Sequence, residues 1–269
     1  MLDEAEIKVL IDDLVRDYGY DFTSYARASL RRRINRLYSV DKFPSFAEFR
    51  YKLRSDQVYL TRFIEEITVN VTEMFRDPQF YKALRQDVIP SLGTNPFIRI
   101  WHAGCSTGEE IYSMAILLKE ANLLHKTLLY GTDINPAVLE TARSGIFSLS
   151  QMKEYSENYN ASGGTADFST YYTAHYDRAI LDKSLSEKMV FSTHNLVSDS
   201  SFNEFHLVVC RNVLIYFDQN LQERVLRLFD ASMGQLSYLA LGSKETLKFS
   251  GLFSRYKQVS REKIWRKMA

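Results

Sequence analysis

The sequence predicts an α/β fold: a mostly parallel sheet covered by helices, preceded by a small all-helical domain and carrying an inserted small subdomain. Three observations predict this arrangement. Apolar residues recur at helical spacing through the first 70 residues, short apolar runs alternate with helical patterns from Phe97 onward, and one central stretch follows neither pattern. The 269 residues, 45% of them hydrophobic, suffice for one large domain with a small companion.

The helical domain is predicted over residues 1–73. Its apolar stripes comprise Ile7, Leu10, Ile11, Leu14 and Val15, then Leu30, Ile34, Leu37 and Tyr38, then Leu60, Phe63, Ile64 and Ile67. Such stripes are typical of helices that bury one face. Ser45 and Glu48 follow Pro44 at the spacing of a capping box, which predicts the start of one of these helices.

The α/β domain is predicted over residues 74–269. Its strand candidates are FIRIWHA (97–103), TLLYGTD (127–133), KMVFSTHN (188–195), FHLVVCRN (205–212) and YLALGSKE (238–245). Helical patterns fit between several of them, and this alternation predicts a parallel sheet covered on both faces. Residues 256–268 predict two further short strands that complete the sheet.

One segment, at about residues 150–188, interrupts the alternation. It is rich in Tyr, Ser and Gly and is longer than a connection between two strands needs to be. We therefore predict an inserted subdomain, with a long surface loop as the alternative.

Charge and cysteine usage exclude several classes of protein. The net charge is +1, so the chain as a whole is not drawn to nucleic acid or to an anionic membrane. The first twenty residues are acidic and amphipathic, unlike a signal peptide, and no apolar run reaches membrane-spanning length. Cys105 and Cys210 form no metal-binding pair, which favours a reduced cytoplasmic protein. The five histidines lack ligand spacing, so no metal site is predicted.

The stretch AGCSTGEE (103–110) lies between a predicted strand and a predicted helix. Ligands of open parallel sheets bind beyond the carboxyl ends of the strands, which would place GTDINP (131–136), THNL (193–196) and CRNVLIYF (210–217) around the same crevice. The loop has too few glycines for a dinucleotide fingerprint. It also has Glu109 and Glu110 where a P-loop has Lys and Ser or Thr.

A tight glycine turn followed by carboxylates suits a cofactor without phosphates that carries positive charge and ribose hydroxyls. S-adenosylmethionine has these groups. Asp133 ends the second strand, where an acidic residue takes ribose hydroxyls in related nucleotide-binding folds. The alternative is structural, because the helix dipole favours acidic residues in a first turn.

These motifs resemble those of the chemotaxis receptor methyltransferases (the CheR family), which transfer methyl groups from S-adenosylmethionine to receptor glutamates. The matching stretches are NVTEMFRD (70–77), AGCSTGEEIYS (103–113), GTDINPAVLETARSGIF (131–147), HNL (194–196) and CRNVLIYFD (210–218), and YARASLRRRINRLY (25–38) resembles the N-terminal domain. The resemblance implies a Rossmann-like, S-adenosylmethionine-dependent domain. It also implies that the chain forms glutamate methyl esters on a chemoreceptor, or a receptor-like signalling protein, in chemotaxis adaptation, with S-adenosylhomocysteine as the other product.

The resemblance also assigns site residues. With Gly104 of the loop, the expected cofactor contacts are Asn70, Thr72, Arg76, Gly104, Glu110, Asp133, Asn195, Leu196, Arg211 and Asn212. It places Arg76 and Tyr216 closest to the reaction.

Methyl transfer to a glutamate carboxylate requires correct placement of the two reactants. It does not require a general base, because a glutamate side chain is already ionised at neutral pH. Arg76 could hold the substrate carboxylate through its planar fork, orienting it rather than activating it. Tyr216 could add a hydrogen bond or shape the path of the methyl group. In the structural alternatives, Arg76 pairs with Asp77 and Tyr216 is a core aromatic.

The basic helix offers a docking surface for the substrate. Arg32, Arg33 and Arg36 are predicted opposite the apolar stripe, with Arg31 near its boundary. A charged face is usually only solvated, but the resemblance implies that this helix docks on the acidic methylation region of a receptor. Nucleic acid is not expected, because the basic residues have no interleaved aromatics. We expect a monomer that does not insert into the membrane.

The sequence departs from the family pattern at two places, and two other functions remain as alternatives. GEEIYS replaces the usual GEEPYS, inside the first helical turn, and the insertion is longer and more aromatic than the unit that grips a receptor tail peptide in some members. Tail binding therefore remains open. The rivals are a methyltransferase for another substrate, and a signalling module that binds the cofactor without turnover.

Overall fold

The computed structural model describes residues 1–68 and 71–268. It contains two compact units, Met1–Asn70 with Ile215–Arg224, and Val71–Leu214 with Val225–Ala269. The first unit thus includes a segment from the second half of the chain, which the sequence prediction placed in the α/β domain. The boundary between residues 73 and 74 remains a prediction.

The first unit is helical in the part of the chain that the structure describes. Its helices are α1 (Glu4–Tyr18), α2 (Arg27–Val40), α3 (Phe46–Ser55) and α4 (Gln57–Thr68). The helix start at Ser45 is confirmed, since the Ser45 hydroxyl accepts from the Glu48 N–H at 3.2 Å. A reciprocal capping box between Asp3 and Glu6 begins α1. Of the first predicted stripe, Val15 is 37% exposed, so the buried stripe is narrower than expected.

The second unit is built on two sheets. The strands of the chain are β1 (Ile98–Ala103), β2 (Thr127–Asp133), β3 (Ile146–Ser148), β4 (Tyr172–His175), β5 (Arg178–Leu181), β6 (Met189–Thr193), β7 (Phe205–Cys210), β8 (Met233–Leu241), β9 (Tyr256–Ser260) and β10 (Ile264–Lys267). Among the described residues, seven strands form the main sheet in the order β6-β2-β1-β7-β8-β10-β9. Its pairs are parallel except those of β10, which runs antiparallel to both neighbours. The mostly parallel sheet is therefore confirmed.

The remaining α-helices of the described residues are α5 (Pro78–Ala83), α6 (Ile89–Leu92), α7 (Glu109–Glu120), α8 (Pro136–Ser144), α9 (Met152–Ala161) and α10 (Gln219–Ala231), with a π-helical turn, Leu84–Val88, between α5 and α6. Of these, α7 and α8 pack on strands of the main sheet. Residues 111–118 of α7 are all buried, because this helix lies in the core. No helix of residues 1–68 and 71–268 is long and apolar enough to cross a membrane.

The insertion folds as a subdomain, so the alternative of a long surface loop is wrong. Its strands form an antiparallel sheet in the order β3-β5-β4, which begins at Ile146, earlier than predicted. Most of the aromatic residues that made the segment unusual are buried with the rest of the unit, although Tyr176 is 89% exposed. For example, the rings of Tyr159 and Phe75 lie 5.1 Å apart between centroids. Tyr155, Phe168 and Tyr171 share this core, so the tyrosine-rich composition has a packing cause.

The strand order reverses beside β1. The chain runs from β1 to β2 and on to β6 on one side, and then returns to β7 on the other side of β1. Such a reversal opens a crevice at the carboxyl ends of the two central strands, which is where open parallel sheets bind ligands. The residues that follow Ala103 and Cys210 are therefore at the mouth of the crevice.

Candidate cofactor-binding site

The loop after β1 makes a tight left-handed turn. Gly104 has φ 78° and Gly108 has φ 99°, and Ser106 between them has φ 50°. A β-carbon at Gly104 would lie 2.5 Å from Cγ2 of Val213, and one at Gly108 would lie 2.9 Å from Cβ of Ala142. The two glycines are therefore required by backbone conformation and by close packing. As a result, the loop backbone lies directly against neighbouring segments.

Asp133 ties the loops after β1 and β2 together. Its carboxylate accepts from the backbone N–H groups of Ser106 and Asn135, each at 3.0 Å. The residue is 7% exposed, and burial raises the pKa of Asp133 although these N–H groups oppose the shift. A carboxylate has about four acceptor positions, so the backbone N–H groups leave capacity for ribose hydroxyls.

Glu110 carries a fixed charge at the crevice. One carboxylate oxygen lies 2.9 Å from His102 Nδ1, and the other accepts from Arg211 Nη1 at 3.2 Å. Burial alone would raise the pKa of Glu110, but the His102 hydrogen bond and the Arg211 charge outweigh it and hold the pKa below its usual value. Glu110 is therefore ionised at neutral pH, which is what a cationic ligand requires.

Arg211 bonds to protein groups. Its side chain is 3% exposed, and Nη2 donates to the Asp77 carboxylate at 2.6 Å and to the Arg76 carbonyl oxygen at 3.0 Å. Its guanidinium carbon lies 4.1 Å from the ring centroid of Phe80. These contacts indicate that Arg211 holds Glu110 and the segment before α5 in place.

Arg76 is half-buried and donates to the Val71 carbonyl oxygen at 3.0 Å. It does not pair with Asp77 in the described structure, because Asp77 is bound to Arg211; that structural alternative is wrong. The flanking residues Phe75 and Asp77 have φ of 53° and 58°, so the chain turns sharply on both sides of Arg76. Thr72 is half-buried nearby in sequence, and Asn70 lies outside the described residues.

The remaining predicted residues follow β6 and β7. The Asn195 side chain accepts from the Val197 N–H at 2.9 Å, and Leu196 is buried. Asn212 has φ 62° and donates its N–H to Glu245 at 3.1 Å. These residues begin the turns beyond β6 and β7, next to the strand ends that carry the rest of the site.

Three residues that contact the predicted site were not identified from the sequence. His102, Asp77 and Glu245 all contact predicted site residues. The signal for His102 was a polar residue next to the end of a largely apolar strand, directly before the glycine loop. Glu109 also differs from its neighbour Glu110, because burial raises the pKa of Glu109 to about 6 and its carboxylate accepts from the Thr107 hydroxyl at 2.6 Å.

Tyr216 and Arg33 belong to the helical unit. The Arg33 guanidinium lies 4.7 Å from the Tyr216 ring centroid and donates to the Ile67 carbonyl oxygen at 2.6 Å. The backbone oxygen of Tyr216 accepts from the Ala26 N–H at 2.8 Å. Tyr216 is half-buried, so the alternative of a core aromatic does not describe it.

The predicted position of Arg33 on the exposed basic face is wrong. It follows Leu30 by three residues, and residues so spaced share a helix face, so it lies beside the buried stripe. Arg31, Arg32 and Arg36 are exposed. Arg31 lies 3.4 Å from Glu4, and Arg36 lies 3.5 Å from Glu66.

Cys105 and Cys210 are buried and not disulfide-bonded, and burial raises the pKa of both thiols well above the usual value. Both are therefore protonated and unreactive at neutral pH. Among the described residues, no cluster of His, Cys, Asp or Glu could hold a metal ion.

The sheet, the glycine loop and the ionised Glu110 define a Rossmann-like, S-adenosylmethionine-dependent methyltransferase domain that accompanies a helical domain. Similarity to known protein domains identifies the family. Residues 70–263 match the S-adenosylmethionine-binding domain of CheR methyltransferases, and residues 5–68 match the all-alpha domain of the same proteins. The chain belongs to the CheR methyltransferase family.

Several relatives align over most of the chain. A protein of Pseudomonas putida that carries the provisional name methyltransferase Cher3 is 45% identical over 267 residues, covering 98% of this chain and 97% of that protein. A chemotaxis protein methyltransferase of Listeria innocua is 33% identical, covering 86% of each chain. The chemotaxis protein methyltransferase of Salmonella typhimurium is 28% identical, covering 95% of this chain and 88% of that protein.

Proposed function

We propose that the protein is a protein-glutamate O-methyltransferase that modifies a chemoreceptor or a receptor-like signalling protein in the cytoplasm. The observation that carries the proposal is the ionised Glu110, held at the strand-order reversal by His102 and Arg211. The names of the Listeria and Salmonella relatives support a role in chemotaxis.

The residues around the crevice fit S-adenosylmethionine. Glu110, Arg211 and Asp77 carry a combined charge of −1, which matches the ammonium group of the cofactor. Glu110 would hold that ammonium, Asp133 would accept from the ribose hydroxyls, and the Gly104 turn would allow close approach of the backbone. Thr72, Asn195, Leu196 and Asn212 would complete the pocket. The bound cofactor supplies a methyl group activated by its positive sulfur.

Arg76 would orient the substrate. The Nη1 atom of its guanidinium donates to the Val71 carbonyl oxygen. The other N–H groups of the guanidinium would then bind a glutamate carboxylate. A carboxylate oxygen would take the methyl carbon as the carbon–sulfur bond breaks, and the sulfur would keep the electron pair. No proton moves, so the chain needs no general base and contributes placement and exclusion of water. The role of Tyr216 near the reaction rests on the family resemblance alone.

The basic face of α2 would receive the substrate. Arg31, Arg32 and Arg36 are exposed, and the two ion pairs made by Arg31 and Arg36 are long. Exposed ion pairs of this kind contribute little, roughly 0–1 kcal/mol each, so acidic groups of a partner can replace them. The protein would act as a monomer on the acidic methylation region of a receptor.

Replacing Arg76 by Ala separates the proposal from its rivals. Lost methylation of a receptor fragment, with S-adenosylhomocysteine binding kept within about threefold, supports an orienting role for Arg76. Turnover on a different substrate class by the wild type would favour the other methyltransferase. Tight cofactor binding with no turnover on any receptor fragment would favour the signalling module.

A further inference from the structure

A buried histidine supports the carboxylate at the centre of the site. His102 lies in β1, one residue before its last, and is 0% exposed. Its Nδ1 is 2.9 Å from the Glu110 carboxylate, and its Nε2 is buried without a hydrogen-bond partner among the described residues. Burying an imidazole with an unsatisfied nitrogen costs free energy, so the position calls for an explanation.

We propose that His102 is a positioning residue for the cofactor: it donates from Nδ1–H and fixes the orientation and charge of Glu110. This inference rests on the proposed function, in which Glu110 holds the ammonium of S-adenosylmethionine. It extends that function to a residue with no other role in the site.

The geometry supports this role because the two donors approach Glu110 from opposite sides of the strand-order reversal. His102 belongs to β1, whereas Arg211 follows β7, and each binds a different carboxylate oxygen. Two donors on separate strands define the plane of the carboxylate. They use about two of its four acceptor positions and leave the others for an ammonium.

The position of the ring hydrogen decides which nitrogen is left without a partner. With its hydrogen on Nδ1, the His102 ring donates to Glu110, and the buried Nε2 is then an acceptor that has no partner among the described residues.

Paired substitutions and paired ligands test the inference. The side-chain nitrogen of His102→Asn lies two bonds beyond Cβ, as Nδ1 does, whereas His102→Leu has similar size and cannot donate. The ligands are S-adenosylhomocysteine, which carries the ammonium, and 5′-methylthioadenosine, which keeps adenine and ribose but lacks it. Calorimetric titration of the full chain measures both affinities.

The expected result is selective. His102→Leu should weaken S-adenosylhomocysteine binding on the order of tenfold and should change 5′-methylthioadenosine binding by less than about twofold. His102→Asn should restore most of the lost affinity. Should His102→Leu fail to fold, His102→Gln replaces it, since its amide lies one bond too far out to mimic Nδ1.

Two outcomes would overturn the inference while leaving the proposed function intact. One is wild-type affinity for S-adenosylhomocysteine in His102→Leu, and the other is equal weakening of both ligands, which a purely structural role would produce. A wild-type chain that does not bind S-adenosylhomocysteine would instead overturn the proposed cofactor site, and the role of His102 with it.

Discussion

The Arg211 guanidinium donates to the Asp77 carboxylate at 2.6 Å across 134 residues of sequence. The same nitrogen donates to the carbonyl oxygen of Arg76, so one buried cation holds the segment that carries the proposed substrate-orienting residue. Arg211 also binds Glu110, which makes it the link between the two sides of the site.

Removing the Arg211 charge should therefore destabilise the fold. Arg211→Met would leave the largely buried Glu110 carboxylate without this cation, and breaking a buried pair in this way costs about 3–5 kcal/mol. Urea unfolding monitored by circular dichroism measures the loss. Arg31→Ala is the control, because Arg31 is exposed and its ion pair is long, so its cost should stay below about 0.5 kcal/mol. A loss below about 1 kcal/mol for Arg211→Met would show that Arg211 is not such a link.

The two adjacent glutamates should differ in cofactor binding. Glu110→Gln removes the ionised carboxylate and should weaken S-adenosylhomocysteine binding about tenfold or more, because hydrogen bonds to charged groups are the stronger ones. Glu109→Gln is the matched control, since Glu109 bonds to Thr107, and it should change the affinity less than about twofold. Calorimetric titration decides, and equal effects at both positions would contradict the assignment of the charge to Glu110.

Glu109 should also make stability depend on pH. Burial raises its pKa from 4.5 to about 6, so the folded protein binds this proton more tightly than the unfolded chain does. The stabilising contribution is present below about pH 4.5 and is lost as the pH rises through 6. The stability of Glu109→Gln relative to wild type should therefore increase by about 2 kcal/mol between pH 4 and pH 7.5 in urea unfolding. A difference that does not change with pH would mean that Glu109 titrates normally.

Substitutions of Arg33 and Arg32 should have different effects, one on the stability of the fold and the other on substrate docking. Arg33→Ala removes the donor to the Ile67 carbonyl and the cation over Tyr216, and should cost about 1–2 kcal/mol of stability. Arg32→Ala, on the exposed face, should leave stability unchanged within about 0.5 kcal/mol and raise the KM for a receptor fragment. Urea unfolding and steady-state methylation measure the two effects. A loss of stability in Arg32→Ala, or an unchanged KM, would contradict the division of roles.

Much of the fold was predictable because its signals are local. Apolar runs marked each strand of the main sheet, and strand-end motifs such as AGCSTGEE fell beside the predicted crevice because parallel strands carry their carboxyl ends to one edge. The tight turn at Gly104 and Gly108 was also predictable from local sequence, since a left-handed backbone conformation excludes most other residues.

The partners of these residues were not predictable, because they depend on contacts between distant segments. Arg211 was expected to contact the cofactor, yet its bonds reach residues more than 100 positions away. Arg33 was assigned to the wrong face, because the sequence does not show which of three adjacent arginines lies beside the buried stripe of the helix. The insertion was predicted as a subdomain, but the burial of several of its tyrosines in the main core was not predictable from their spacing.

The most direct test of the central proposal is the chemical nature of the methylated product. A cytoplasmic receptor fragment is incubated with the protein and S-adenosylmethionine labelled in the methyl group, and the label released by mild alkali is counted as methanol. The proposed function predicts alkali-labile label that disappears when the receptor glutamates are replaced by Ala and when the enzyme carries Arg76→Ala. Label that resists alkali, or no label from a chain that binds S-adenosylhomocysteine, would contradict glutamate methyl ester formation.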